Sequence, residues 1–468
     1  MLNCSYQLVV FNDKEGKSPL SDFTDDDITS LRNLEFEVSE YLIRSDSTAY
    51  HELYPGVEMI DYDFVAERQN LYATNLVEST AHLVKGCIGA GILGIHEAYM
   101  YGGIWTSLAV TAIFGFLISY CMLILVKSAQ KMYLKLRVPR LSYPDLAEVA
   151  LATGPLKLRR FSKAFRYLVD IFLFLEFNGT CCIFDIIMAR TLKAVMEAAS
   201  SIKISISIYI LIVTLPLIAM SLIRSLKYLA PFSLAADLIT ALCVATTMYY
   251  SITLGSDLSD RPAWKNVHGF FNMLGVCMYS MNGIGVVLPI ENNMRRPQYF
   301  NTVLQCGMPI VISFVMIIGF FGYWAWGENC RSPFTIHMPS YLSLLIMQGL
   351  LTITLGVTFA VHFWVPFRII WHYVGRKHDT RRGLWERLYR ALHVMVIACL
   401  SIALPNIVTW MSFLGNFFTA VMVFIFPALI EILITWKEPI NHRLRLLKNI
   451  SLMVLGGILS GGGWVLFT

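Results

Sequence analysis

The first apolar segment of the chain reads ESTAHLVKGCIGAGILGIHE over residues 78–97, with four glycines inside nine consecutive residues. Glycine destabilises a helix by roughly 1 kcal/mol relative to alanine, so this cluster predicts a local unwinding in the middle of a membrane-spanning helix. Unwound backbone at membrane depth is tolerated only where protein or water satisfies its polar groups. Carriers use such breaks to aim free N–H groups at an anionic group of the substrate. We therefore expect the mechanistic centre of the chain at Gly89–Gly94.

Two other interpretations of this segment are open at the level of sequence. Glycines at this spacing also let helices pack closely in lipid, which is a purely structural role. The letters GAGILG at residues 89–94 match the G-x-G-x-x-G fingerprint of dinucleotide-binding folds. That fingerprint belongs to a turn that follows a strand in a βαβ unit. No strand is indicated before residue 89, so we expect no nucleotide cofactor.

The composition indicates an all-α integral membrane protein. Of the 468 residues, 56% are hydrophobic and only 15% are charged, against about 25% charged in soluble domains. Eleven apolar runs are long enough to span a bilayer, and helix is the state that satisfies their backbone in lipid. The runs cover residues 76–98, 103–127, 163–189, 205–223, 228–252, 269–290, 304–326, 341–366, 388–408, 410–435 and 447–467.

The loop charges predict an orientation in the membrane. Alternate connections between the runs carry 25 Lys and Arg on one side and 6 on the other, and the richer side is expected to be cytosolic. The acidic tail of residues 1–75 lies on that side, is predicted to be mostly disordered, and is a possible binding site for cytosolic partners. Residues 76–468 form the membrane domain, with the C-terminus on the extracellular or lumenal side.

The sixth run contains a second candidate break, MYSMNGIGVVLPIENN at residues 278–293. Gly283, Gly285 and Pro289 weaken helical continuity there. Interrupted helices at corresponding positions of two halves point to a binding site between inverted repeats. Helices one to five (76–252) and six to ten (269–435) would be those halves, followed by an eleventh helix at 447–467. The alternative is an ordinary kinked helix.

The two breaks together predict the substrate-binding site. An anionic group of the substrate would accept hydrogen bonds from free N–H groups of the first break, and carbonyls and side chains of the second break would line the rest of the site. The predicted substrate-binding residues are Ile88, Gly89, Ala90, Gly91, Ile92, Tyr279, Ser280, Asn282 and Gly283.

Ionisable residues inside membrane spans are costly there and tend to be functional. His82 titrates near physiological pH and lies about two turns before the first break, so we predict that it relays a proton. A structural hydrogen bond is the alternative role, and Glu291 is the second candidate for proton coupling. The full set is His82, Lys85, His96, Glu97, Asp170, Glu176, Asp185, Asp237 and Glu291.

The sequence contains no hydrolytic, metal-binding or Walker motif. We therefore predict that the protein is not an enzyme, holds no metal, and uses no cofactor beyond a coupling proton. The positive charge lies in short loops between apolar runs, so we expect a lipid bilayer as its environment and no nucleic acid as a partner.

Ordered blocks from His82 to the C-terminus resemble the amino acid/auxin permease family, and most closely its animal proton-coupled amino acid transporter branch. The blocks are HLVKG at 82–86, IGAGILG at 88–94, SYPDLAE at 142–148, GP at 154–155, RSLKYLAPFS at 224–233, GIGVVLPIENNM at 283–294, GY at 322–323 and PN at 405–406.

The resemblance implies eleven helices, with the first ten in a 5+5 inverted repeat like that of the bacterial leucine transporter. It implies proton-coupled symport of small neutral amino acids such as glycine, alanine or proline, with His82 in the proton-coupling position. It also implies a disulfide between Cys182 and Cys330, with Cys181 as a possible substitute. The plasma membrane and an endolysosomal membrane both fit this activity.

Five positions depart from the pattern of that branch. Cys87, Ala90 and His96 stand where Asn, Thr and Pro are usual, Asn282 stands where Glu is usual, and Phe184 stands where Tyr is usual. Because these changes alter the predicted site itself, a non-transporting amino acid sensor or scaffold on a transporter fold is the alternative function.

Overall fold

The computed structural model describes residues 62–68, 70, 73–200, 204–223, 230–255, 257–339, 341–375, 381–436 and 442–467. This part of the chain is helical, apart from one isolated parallel bridge between Thr74 and Met294. The α-helices are α1 Phe64–Glu67, α2 Leu76–Cys87, α3 Ile95–Gly102, α4 Ile104–Leu136, α5 Tyr143–Thr153, α6 Ser162–Ala199, α7 Ile206–Ser221, α8 Ala230–Thr253, α9 Val267–Ser280, α10 Ile284–Asn293, α11 Phe300–Trp326, α12 Leu342–Val374, α13 Arg382–Ala403, α14 Ile407–Phe413, α15 Phe426–Ile434 and α16 His442–Phe467.

Eight helical segments of the described residues are long and apolar enough to cross a membrane. The predicted fold class, an all-α integral membrane protein with several spans, is confirmed. The predicted number of eleven spans stays a prediction. The first apolar run is divided by its break, and α7 has only 16 residues, so neither reaches the length of a continuous span.

The segment from α9 to α10 lies at the centre of the helix bundle. Its helices pack against α3, α4 and α14, and most of its side chains are buried. Helices α8 and α16 lie at the periphery, where Leu238 and Ile458 are among the exposed apolar side chains. This arrangement encloses the sixth run in protein, which is the condition for a break at membrane depth.

Part of the predicted disordered tail is helical and docked. Helix α1 is capped by Asp63, whose carboxylate accepts hydrogen bonds from the N–H groups of Val65 at 2.8 Å and Ala66 at 3.2 Å. Arg68, which follows this helix, is only 5% exposed. Residues 1–61 lie outside the described residues, so the prediction of disorder there stays a prediction.

Candidate functional site

The first predicted break lies between α2 and α3. Helix α2 ends at Cys87, Ile88 and Gly89 leave the helical conformation, and one 3₁₀ turn over Ala90–Leu93 leads into α3. The N–H groups of Gly89, Ala90 and Gly91 donate no hydrogen bond to any of the described residues. The break therefore presents adjacent free donors, as the glycine cluster predicts.

The second predicted break lies between α9 and α10. Met281 and Gly283 leave the helical conformation, and Asn282 caps α10 by accepting a hydrogen bond from the N–H of Ile284 at 3.1 Å. Within the described residues, the backbone carbonyls of Ser280, Met281 and Asn282 accept no hydrogen bond. Free acceptors thus stand at the second break where free donors stand at the first.

The two breaks pack directly against each other. A Cβ atom built on Gly91 would lie 2.5 Å from the Cα of Ser280, and one built on Gly283 would collide with the Sγ of Cys87. Glycine at these two positions permits the close approach of the two backbones. The structure therefore brings together the two halves of the site that the sequence predicts.

Three polar side chains that the binding-site prediction omitted surround the second break. Asn282 donates from Nδ2 to a carboxylate oxygen of Glu176 on α6 and to the hydroxyl of Thr419 at 3.2 Å. Tyr279 donates its hydroxyl hydrogen to Thr180 at 3.1 Å. Thr419 lies in a π-helical stretch between α14 and α15, and such stretches are frequent at functional sites.

Glu176 was recognisable in the sequence only as one of several ionisable residues within the apolar runs. The contacts of Thr180 and Thr419 carry no local sequence signal, because their partners lie about a hundred residues away or more along the chain.

The two residues predicted to couple protons lie away from the contact between the breaks. His82 is on α2, is partly exposed, and makes no hydrogen bond within the described residues. Glu291 is fully buried near the end of α10 and forms an ion pair with Arg68 at 3.1 Å. Gln130 and Tyr133 on α4 also donate to its carboxylate, at 3.0 and 3.2 Å.

The Arg68 network closes the tail side of the molecule. Arg68 also donates to the backbone carbonyl of Pro139 at 2.8 Å and to the side chain of Asn292 at 3.2 Å. It thereby joins the tail, the loop after α4 and the end of α10. We call this set of contacts the tail-side closure.

A second network closes the opposite side. The carboxylate of Glu97 on α3 accepts from the N–H of Ser332 at 2.6 Å. The Nε2 atom of His96 lies 3.0 Å from the carbonyl oxygen of Arg331, at hydrogen-bond distance. Arg190 on α6 donates to the carbonyl oxygens of Ser332 and Pro405, at 2.8 and 2.7 Å. We call these contacts the loop-side closure. His96 therefore belongs to this closure and does not reach the contact between the breaks.

The predicted Cys182–Cys330 disulfide is not present. Both residues are free thiols, as is Cys181. The Sγ of Cys182 faces the carbonyl of Ile397 on α13 at 3.8 Å, whereas the Sγ of Cys330 faces the carbonyl of Gly322 on α11 at 3.7 Å. The two sulfur atoms thus contact different helices. Burial raises the pKa of the Cys330 thiol, which keeps it in the less reactive protonated form.

The site presents free N–H groups on one side and free carbonyls on the other. Backbone groups of these two kinds can bind an anionic and a cationic group, respectively. Among the described residues, no three His, Cys, Asp or Glu side chains lie close enough to hold a metal ion.

Comparison with known proteins gives the family of the chain. Residues 73–467 match the family model described as transmembrane amino acid transporter protein. The chain is 30% identical over 404 residues to the proton-coupled amino acid transporter-like protein pathetic of Drosophila melanogaster, with 85% of each chain covered. It is 25% identical over 399 residues to the amino acid transporter AVT3C of Arabidopsis thaliana, covering 82% of this chain and 88% of that one.

The fold is similar to those of solved transporter structures. The structure of MhsT in complex with L-phenylalanine matches with a TM-score of 0.49 and 15% identity, covering 84% of this chain and 97% of that one. A Na⁺-coupled sialic acid symporter in a substrate-bound outward-open state matches with a TM-score of 0.47 and 11% identity, covering 94% and 98%.

Proposed function

The chain belongs to the transmembrane amino acid transporter family, and we propose that it carries small neutral amino acids across a membrane together with protons. The observation that carries this proposal is the direct contact of the two helix breaks. Free N–H groups of Gly89–Gly91 would bind the substrate carboxylate, and free carbonyls of Ser280–Asn282 would bind its ammonium group.

The proposed preference for small neutral substrates rests on what encloses the site. Ala90 and Ile92 are 3% and 5% exposed, and Ser280 is 1% exposed. Gly91 packs against Ser280, and Gly283 packs against Cys87. A crowded lining of small and apolar side chains supports a short side chain on the substrate, as in glycine, alanine or proline.

The proposed proton coupling rests on two supports. The relative pathetic is named as a proton-coupled amino acid transporter-like protein, and titratable residues lie on the helices that flank the breaks. His82 remains the sequence-based candidate for proton exchange, and Glu291 the second one. We propose an acidic exterior or lumen as the source of the proton and a cytosolic N-terminus, on the basis of the loop charges. The plasma membrane and an endolysosomal membrane both meet this condition.

Uptake into liposomes tests the proposal. Purified protein in liposomes with an inward acid gradient should accumulate labelled glycine, alanine or proline, and should accumulate less without the gradient. Empty liposomes are the control for leakage. The absence of uptake of any neutral amino acid, with or without the gradient, would contradict the proposal.

An amino acid sensor on the same fold is the second candidate. The observation that favours it is the docking of Arg68 against Glu291, since it links the acidic tail to a helix that begins at the second break. Substrate binding without uptake, together with substrate-dependent capture of a cytosolic partner by residues 1–75, would favour the sensor. Normal uptake by protein that lacks residues 1–61 would argue against it.

A further inference from the structure

A buried carboxylate lies beside the second break. Glu176 on α6 is 8% exposed, and its Oε1 accepts hydrogen bonds from Asn282 and, at 3.3 Å, from the hydroxyl of Thr419. The oxygen atom of the same Asn282 amide, Oδ1, accepts a hydrogen bond from the N–H of Ile284, the first residue of α10. The carboxylate is thus connected, through one amide group, to the helix half that begins at the break.

This carboxylate has no cationic partner within the described residues. Its two hydrogen-bond donors, Asn282 and Thr419, are both neutral. A buried carboxylate surrounded by neutral donors is unfavourable as an anion, and one without a paired cation is strongly so. The enclosed arrangement therefore favours the protonated form of Glu176.

Ion-paired carboxylates elsewhere in the chain show the contrast. Glu291 is paired with Arg68 at 3.1 Å, and Glu386 with Arg390 at 3.0 Å. A cation at hydrogen-bond distance compensates the charge of each of these buried carboxylates. Glu176 differs from both because only a proton or a cationic ligand can compensate it.

The titratable neighbours of Glu176 do not supply this compensation. Tyr143 on α5 and Tyr279 on α9 are the groups whose charges interact with it. Tyrosine hydroxyls are neutral near pH 7, and both are occupied as donors, to the carbonyl of Met422 at 2.6 Å and to Thr180 at 3.1 Å.

Two histidines from other helices packed on α6 face its neighbouring residues. His393 on α13 lies 2.6 Å from the side-chain oxygen of Asn178. His362 on α12 contacts the ring of Phe177, with centroids 6.1 Å apart. Neither ring has a hydrogen bond to Glu176.

We propose that Glu176 is a proton-binding site of the transport cycle, an inference that rests on the proposed function. The proton binds to a carboxylate oxygen in the enclosed arrangement. It leaves from the same oxygen to water when the breaks separate and water reaches the carboxylate. Asn282 couples the two events, because its amide contacts the carboxylate and also caps the helix half that would move. On release, the O–H bond of the carboxyl group breaks and an O–H bond of hydronium forms, and binding of the proton is the reverse.

The variant Glu176→Gln tests this inference, because glutamine has the shape of the protonated form and cannot release a proton. Two liposome assays are needed. The first measures accumulation under an inward acid gradient, and the second measures exchange of internal unlabelled for external labelled amino acid at equal pH. One pH unit supports about tenfold accumulation at one proton per substrate. We expect Glu176→Gln to lose this accumulation and to retain exchange.

Two variants on the same helix are matched controls. Glu197→Gln makes the same change at a partly exposed residue, which pairs with Lys193 at 3.8 Å, and it should keep both activities. Asp185→Asn alters another buried carboxylate of α6. Loss of gradient dependence in Asp185→Asn with normal behaviour of Glu176→Gln would overturn the proposal.

Three further outcomes decide the question. Gradient-driven accumulation in Glu176→Gln at the wild-type level would overturn the inference. So would loss of both exchange and substrate-induced thermal stabilisation in that variant, since the carboxylate would then serve substrate binding.

If Glu176→Gln does not fold, the double variant Glu176→Gln/Asn282→Glu moves the carboxylate across the hydrogen bond. It should restore gradient-driven accumulation, and its failure to do so while retaining exchange would overturn the inference. Wild-type protein inactive in both assays would instead refute the proposed function.

Discussion

Gly89 and Gly91 lie two residues apart in the first break, yet their surroundings differ. A Cβ atom on Gly91 would lie 2.5 Å from the Cα of Ser280, which is backbone and cannot turn aside, whereas a Cβ atom on Gly89 meets nothing within 4 Å. We expect Gly91→Ala to force the two breaks apart, at a cost of about 1–3 kcal/mol for overpacking, and to abolish uptake. Gly89→Ala should remain active.

Thermal unfolding in detergent measures the predicted loss of stability in Gly91→Ala, and uptake in liposomes measures its predicted loss of activity. Gly89→Ala is measured beside it in both assays. Equal uptake by Gly91→Ala and Gly89→Ala would show that the contact between the breaks is not needed for transport.

The ion pair of Arg68 and Glu291 predicts an asymmetric effect on stability. The two groups lie 3.1 Å apart, with side chains that are 1% and 0% exposed. Arg68→Met leaves the carboxylate buried without a cation, which should lower the free energy of unfolding by about 3–5 kcal/mol. Arg68→Met/Glu291→Gln removes both charges and should recover part of that loss. Unfolding of the purified variants measures the loss of stability in Arg68→Met and its partial recovery in the double variant. A double variant less stable than Arg68→Met would contradict this account.

The sequence predicted the breaks from local composition, since clustered glycine is unfavourable in a helix wherever it occurs. It did not distinguish Gly91 from Gly89, because only the neighbour Ser280 makes the difference. It also did not reveal the contact of Glu176 with Asn282, residues 106 positions apart. Contacts of this kind depend on the packing of whole helices, and no local pattern records them.

The 3₁₀ turn Phe334–His337 follows the loop-side closure in the chain and contributes a partly buried imidazole beside it. The Nε2 atom of His337 accepts a hydrogen bond from the backbone N–H of Arg331 at 3.1 Å. The His337 ring stacks on that of Trp326, with centroids 4.3 Å apart. Burial lowers the pKa of His337 from 6.5 to about 4. Between these values the unfolded chain binds more protons than the folded one, so stability falls as the pH falls through this window.

The variant His337→Gln tests this effect, because glutamine takes up no proton. The free energy of unfolding of the wild type should fall relative to that of His337→Gln between about pH 6.5 and 4, by about 2–3 kcal/mol. His268→Gln, at an exposed position before the second break, is the control and should follow the wild type. Parallel curves for the wild type and His337→Gln would contradict the prediction.

At the scale of elements, hydropathy located the apolar runs but did not establish how many continuous spans they form. A break divides the first run, and its two halves are too short to count as spans by length alone. The disulfide followed from resemblance rather than from geometry, and the thiols of Cys182 and Cys330 face different helices. The docking of Arg68 lay in a segment whose composition predicted disorder.

For the whole molecule, the two closures place the site in an enclosed arrangement. Arg68 and Glu291 form the tail-side closure, while Arg190 and Glu97 hold the loop-side closure. Transport by alternating access requires each closure to open while the other stays shut. A thiol at the contact of the breaks should therefore become accessible to a reagent when either closure opens. Cys87 is such a thiol, 2% exposed and facing Gly283.

Opening of the closures is measured by labelling Cys87 with a membrane-impermeant maleimide, in protein whose other cysteines are replaced by serine. Arg68→Ala should raise the labelling rate in inside-out vesicles, where the tail side is proposed to be accessible. Arg190→Ala should raise it in intact cells. A change of roughly tenfold corresponds to a shift of about 1.4 kcal/mol between closed and open states. Lys265→Met breaks an exposed pair with Glu328 and should change neither rate. Equal acceleration from both sides by Arg68→Ala would mean that this residue stabilises the fold as a whole, because loss of a specific closure exposes Cys87 from one side alone.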